Sequence, residues 1–139
     1  MFTSDTNKCE KKFGKTALIY LIVSVFCALF GCVYETFSHG VYSFYMIYAF
    51  LFPLVGGTLP FLIFSLLESK KEPQSLAAKL YHSGIAALTV GSIVKGILEI
   101  YGTTNRLTVF YWIFGVGLVT VGVGLEVTAR LYAFRHRAD

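Results

Sequence analysis

Apolar residues fill this chain in four long blocks, at about residues 16–38, 44–68, 76–101 and 107–129, with short polar stretches between them. Each block reaches the roughly 20 mostly apolar residues needed to cross ~30 Å of hydrocarbon. Stepping along the blocks at 100° per residue gathers the weakly polar positions into stripes, as on α-helices. The pattern predicts an all-α polytopic membrane protein, a bundle of four transmembrane helices forming one domain over residues 1–139. The first block is too long for a cleaved leader, and no small-residue cleavage site follows it.

The connections set which helices are neighbours. "HGVYS" (39–43) and "GTTNR" (102–106) are tight, so the first and second helices should pair, as should the third and fourth. Between the pairs lies the polar linker "SKKEPQS", where Pro73 stops one helix and Ser75 is placed to cap the next. The two halves share no convincing residue pattern, so an internal repeat is not indicated.

Composition agrees with lipid as the solvent. Of 139 residues 55% are hydrophobic and 14% charged, too few polar groups to cover a soluble domain of this size. Lys8, Lys11, Lys12 and Lys15 precede the first span. Lys70, Lys71 and Lys79 lie between the second and third, and Arg130, Arg135 and Arg137 follow the fourth. The other two loops hold only Arg106. The positive-inside rule then places both termini in the cytoplasm. The net charge of +4 is accounted for by this topology. Nucleic-acid binding, which wants basic residues on one folded face, is set aside. Tyrosines and Trp112 crowd the opposite end, as in an interfacial aromatic belt.

Ionisable residues inside spans are costly and mark candidate sites. On the first helix Ser24, Ala28, Gly31, Cys32, Glu35, Ser38 and His39 share one side; on the third, Ala77, Tyr81, Gly84, Leu88, Gly91, Ser92, Lys95, Glu99 and Gly102 do. If these stripes face each other, Glu35, Glu99 and Lys95 meet in an outer vestibule lined by Tyr34 and Tyr101. Lys95 balances one acid there and the other is left to bind a proton or cation. The plainer alternative is a Lys95–Glu99 pair that satisfies itself and snorkels outward, with Glu35 facing headgroup water. His82 is the one candidate metal or haem ligand, and packing is the favoured role because no matching ligands accompany it. No metal site, cofactor motif or catalytic set is evident.

The second span contains "PLVGGTLP", with Pro53, Gly56, Gly57 and Pro60 near its middle. The prolines cannot donate to the carbonyls of Ala49 and Gly56, and the helix should kink there. Hydroxyls such as those of Ser24 or Ser92 on those carbonyls would make the segment a kink alone; an ion or water would make it a site. On the fourth helix Gly115 and Gly122 lie on one side, Gly117, Thr120 and Gly124 nearly opposite. One small face serves the third helix, and Gly117 and Gly124 suggest a homo-oligomer.

"GCVYET" and "GILEIYG" close the first and third helices. In Gly31, Glu35 and Thr36, then Leu98 and Glu99, the chain resembles bacterial membrane proteins described as ABC-transporter permeases of the CmpB type. It departs from them at Cys32, where that family carries tryptophan, and at Ile100, where it carries an aromatic residue. The resemblance implies a transport-associated role. The expected function is a small transporter or channel subunit for a small, cationic or proton-coupled solute. The alternatives are an accessory subunit of a larger membrane complex and a haem-binding or other membrane enzyme.

Overall fold

The computed structural model describes residues 2–66 and 75–138. The linker with Lys70, Lys71 and Pro73, and the expected end of the second helix at Glu68, lie outside them. Every element among the described residues is helical. Four stretches are long and apolar enough to cross a membrane: Lys11–Phe37, Phe44–Ile63, Ser75–Ile100 and Thr108–His136.

The first span belongs to α1 (Phe2–Phe37), whose helix starts well before the expected position 16. Its polar opening, "TSDTNKCEKKFGK", contains no proline and several good helix formers, so the turn pattern simply propagates backward. At 36 residues, or about 54 Å at 1.5 Å per residue, α1 exceeds a bilayer core. The fourth span, in α5 (Thr108–Ala138), likewise runs past the expected end at 129. The third is α4 (Ser75–Ile100), beginning at the serine expected to cap it.

The second span is composite: α2 (Phe44–Ile47), a 3-10 turn (Tyr48–Phe50), a π-helix (Phe52–Thr58) and α3 (Leu59–Leu66). Pro53 falls in the first turn of the π-helix, where its missing N–H is least costly. The widened spacing continues through Leu59, whose N–H reaches the carbonyl of Leu54. Gly56 and Gly57 leave room for neighbours in this stretch. A Cβ on Gly57 would run into the Tyr20 ring, and one on Gly56 into Ile85.

The spans pack in chain order. α1 lies against the second span, the second span against α4, and α4 against α5. Among the described residues no Cα of α1 comes within 8 Å of one in α4 or α5, nor any of α5 within 8 Å of the second span. The second span is therefore a wedge between α1 and α4. α4, in the interior of the row, needs two buried faces. Gly84, Leu88 and Gly91 meet α5, while Ser92 and Gly96 meet the second span. Glycine makes the α4–α5 contact possible: a Cβ on Gly84 would lie 2.8 Å from Val119 N, and one on Gly122 2.9 Å from Tyr81 N.

Turns at one end close both hairpins, with the left-handed backbone at His39 (φ 55°), Gly40 (φ 87°) and Gly102 (φ 70°). Asn105 closes the second turn by accepting from Leu107 N through its side chain at 3.0 Å, and its carbonyl accepts from the Thr108 hydroxyl at 2.8 Å. This is called the loop end below; the other is the terminal end.

Candidate functional site

At the loop end the site is organised around Met46, which is 1% exposed. A Cβ on Gly31 of α1 would lie 3.2 Å from Met46 O, and a Cβ on Gly96 of α4 would lie 2.9 Å from Met46 N. Both glycines thus bring their helices onto the same backbone. Glu35 is four residues beyond Gly31 and Glu99 three beyond Gly96, so about one further turn carries each acid toward the start of α2.

Ser43 precedes α2, where a serine hydroxyl ordinarily caps the first turn. Here it makes no such cap and instead donates to Glu99 Oε2 at 2.7 Å. The Lys95 ammonium lies over the Tyr45 ring, 3.8 Å from its centroid, a cation–π contact that partly replaces hydration. Among the described residues no ion pair joins Lys95 to Glu35 or Glu99. Glu35 is half-buried; its backbone carbonyl accepts from the Ser38 hydroxyl at 2.7 Å, while its side-chain Oε1 is buried and receives no donor. Trp112 Nε1 is also buried without a partner. Its ring stands edge-on to Tyr45 and Phe52, at 6.1 and 5.6 Å between centroids, so aromatic faces surround it.

Tyr34 and Tyr101 meet side chain to side chain across a cleft of about 330 Å³, also lined by Phe30, Val33, Phe37, Ser38 and Ile100. The expected tyrosines therefore come together, although the second span separates their helices below them. The facing stripes expected of the first and third helices do not pack directly.

The carbonyls of the second span find hydroxyl partners from both sides. Ser24 of α1 donates to Phe50 O at 3.1 Å, and Ser92 of α4 to Tyr45 O at 2.7 Å. Tyr81 donates to Gly56 O at 2.5 Å. Thr58 reaches Pro53 O within the π-helix at 3.5 Å. The two serines act as expected in kind but not on Ala49: Ser24 takes the carbonyl of the next residue, Phe50, and Ser92 that of Tyr45, about one turn earlier; the partner of Gly56 is a tyrosine. Each carbonyl keeps a second lone pair, but its desolvation is already relieved.

His82 is held within an aromatic cluster. The Tyr20 hydroxyl pairs with its Nδ1, and its ring stacks on Phe61 at 5.1 Å and on Tyr20 at 5.5 Å between centroids. This is the direct link from α1 to α4 in the half nearer the terminal end. Among the described residues no three His, Cys, Asp or Glu side chains gather as a metal set. On α5, Gly115 and Gly122 face α4, whereas among the described residues no atom of another element comes within 4 Å of a Cβ built on Gly117 or Gly124. No protein-family model, curated protein or solved structure matches this chain.

Proposed function

We propose that the chain is a small transporter or channel subunit of a bacterial cytoplasmic membrane, with both termini inside and Glu35 as the group that binds the transported cation or proton. The observation that carries this reading is the buried Oε1 of Glu35, which no donor reaches. At low dielectric a bare carboxylate oxygen is costly unless it takes up a proton or a cation. The other two ionisable groups at that depth are engaged, Glu99 by Ser43 and Lys95 by Tyr45. The resemblance of the Gly31–Thr36 and Leu98–Glu99 segments to CmpB-type permeases points the same way. We read the stretch from Pro53 to Pro60 as the bend of the second span, a deformable element rather than a set of ion ligands.

The test is flux into liposomes that contain the purified chain under imposed proton and alkali-cation gradients. Glu35→Gln is expected to lower the flux by roughly ten-fold or more, about 1.4 kcal/mol in the barrier. Glu99→Gln should act less, because an amide oxygen still accepts from Ser43. Wild-type liposomes that are tight to every gradient, or a Glu35→Gln flux equal to wild type, overturn the proposal.

A second reading, an accessory subunit that docks a partner or a second copy, is favoured by the open face of α5. There Gly117, Thr120 and Gly124 are exposed, and Thr120 bonds the carbonyl of Gly117 at 2.9 Å. It predicts that Gly117→Leu with Gly124→Leu converts an oligomeric or complexed species to the lone chain on sizing in detergent, with Glu35→Gln silent. Unchanged elution of the double variant counts against it.

A further inference from the structure

We infer that the cleft between the first and third spans at the loop end binds an organic ammonium ion, a quaternary nitrogen carried by a free solute or by a lipid headgroup. The cleft exists because α1 and α4 stand apart: among the described residues no Cα of one lies within 8 Å of the other, so side chains alone cross the gap. It encloses about 330 Å³, at the small end of the roughly 300–1,000 Å³ typical of ligand pockets. Phe30, Tyr34 and Phe37 line it from α1 and Tyr101 from the end of α4, with Tyr34 and Tyr101 hydrogen-bonded to each other. The Phe30 and Tyr34 rings lie 5.9 Å apart between centroids, tilted by 32°.

The lining selects the occupant. An aromatic face carries the negative lobe of the ring quadrupole and attracts a cation within about 6 Å of its centroid. Among the described residues no charged side chain, histidine or cysteine lines the cleft. An anion therefore meets no positive charge there, and a bare metal ion, which wants several oxygen ligands, finds no carboxylate. The Ser38 hydroxyl is already committed to Glu35 O at 2.7 Å and Val41 O at 2.6 Å. A nitrogen whose charge is spread over methyl groups needs neither kind of ligand, because its surface suits apolar walls and the rings answer its charge. Glu35 supplies the countercharge. It does not line the cleft itself, but Tyr34 and Ser38, which do, stand roughly 60–100° round the helix from it on one side. Its buried Oε1 receives no donor. The same end of the molecule already uses this chemistry, with the Lys95 ammonium over the Tyr45 ring. That the cleft seats the transported species rests on the function proposed above; that it binds an ammonium ion does not.

The experiment is isothermal titration calorimetry of the full chain in a maltoside detergent, with choline and with its uncharged isostere, in which a tert-butyl group replaces the trimethylammonium. Choline is expected to bind roughly ten-fold more tightly than the isostere. Tyr34→Leu and Tyr101→Leu should each weaken choline several-fold, Tyr34→Phe should keep most of the affinity, and Glu35→Gln should weaken choline while leaving the isostere unchanged. Circular dichroism of each variant checks that the helices persist. Phosphatidylcholine that displaces choline from the micelle-bound chain, where phosphatidylglycerol does not, would assign the ammonium to a headgroup; choline binding that resists the lipid would assign it to a solute. Absence of choline binding, equal affinity for choline and its isostere, leucine variants that bind like wild type, or a choline affinity untouched by Glu35→Gln overturns the inference. Choline binding by a chain whose liposomes are tight to every gradient supports the site and sinks the transport reading, whereas alkali-cation flux without choline binding does the reverse.

Discussion

Ser43 gives up a local role for a distant one. A serine at the start of a helix ordinarily accepts from the first turn, yet this hydroxyl donates to Glu99 Oε2, because a carboxylate gains more from a donor than a turn whose Met46 and Ile47 N–H groups already donate to the Ser43 carbonyl. Ser43→Ala should therefore destabilise the chain by about 1.5–3 kcal/mol, the range for hydrogen bonds to charged groups, and Ser43→Thr should restore most of it. Thermal unfolding in detergent reads both. Tyr81→Phe leaves Gly56 O without its hydroxyl and should cost about 1–3 kcal/mol on the same scale. At this scale the sequence revealed half of each interaction. Glu35, Lys95 and Glu99 stand out as ionisable residues within apolar blocks. Their partners do not: Ser43 reads as a turn residue and Tyr45 as a belt aromatic. Which of them reaches α4 depends on which helix lies between.

The elements were more legible than the contacts. Four spans follow from block length alone, and the proline–glycine string announced a departure from α-helix near the middle of the second. Its form was not legible, since two prolines and two glycines are compatible with a 3-10 turn, a π-helix or a sharp bend. The π-helix becomes intelligible only with Tyr20 against Gly57 and Ile85 against Gly56, side chains from two different helices. Those contacts make Gly57 a sensitive position. A methyl group there must displace the Tyr20 ring, and with it the hydrogen bond to His82. Gly57→Ala is expected to cost about 1–3 kcal/mol, as overpacking does. Tyr20→Phe keeps the ring and loses only the hydroxyl, so it should cost less. Equal melting temperatures for wild type and Gly57→Ala would show that the π-helix is not held by this contact.

At the scale of the whole molecule, serial packing distributes the burden unevenly. α1 and α4 are joined through the wedge of the second span, by the Tyr20–His82 link and by the tyrosines at the loop end, whereas among the described residues the backbone of α5 approaches only α4, with the Trp112 ring against Tyr45 and Phe52 as its contact to the second span. Lipid supplies no hydrophobic drive between helices, so the hold on α5 depends on close backbone approach. Gly84, Gly115 and Gly122 provide that approach, and a Cβ at any of the three would intrude on the facing helix. The glycines at 117 and 124 repeat the seven-residue spacing of 115 and 122 on the other side, where among the described residues a Cβ would meet nothing within 4 Å. The two pairs should therefore respond oppositely. Gly122→Leu must push α5 away from Tyr81 and Ala77, and should loosen the α4–α5 hairpin by several kcal/mol, more than the roughly 1–3 kcal/mol of ordinary overpacking because backbone cannot give way. Among the described residues no atom lies within 4 Å of a Cβ on Gly124, so Gly124→Leu should change the stability of the lone chain by less than about 0.5 kcal/mol. Protease sensitivity of α5 and melting in detergent separate the two. A Gly124→Leu chain as unstable as Gly122→Leu would mean that α5 packs through the other face, and the serial arrangement would have to be abandoned.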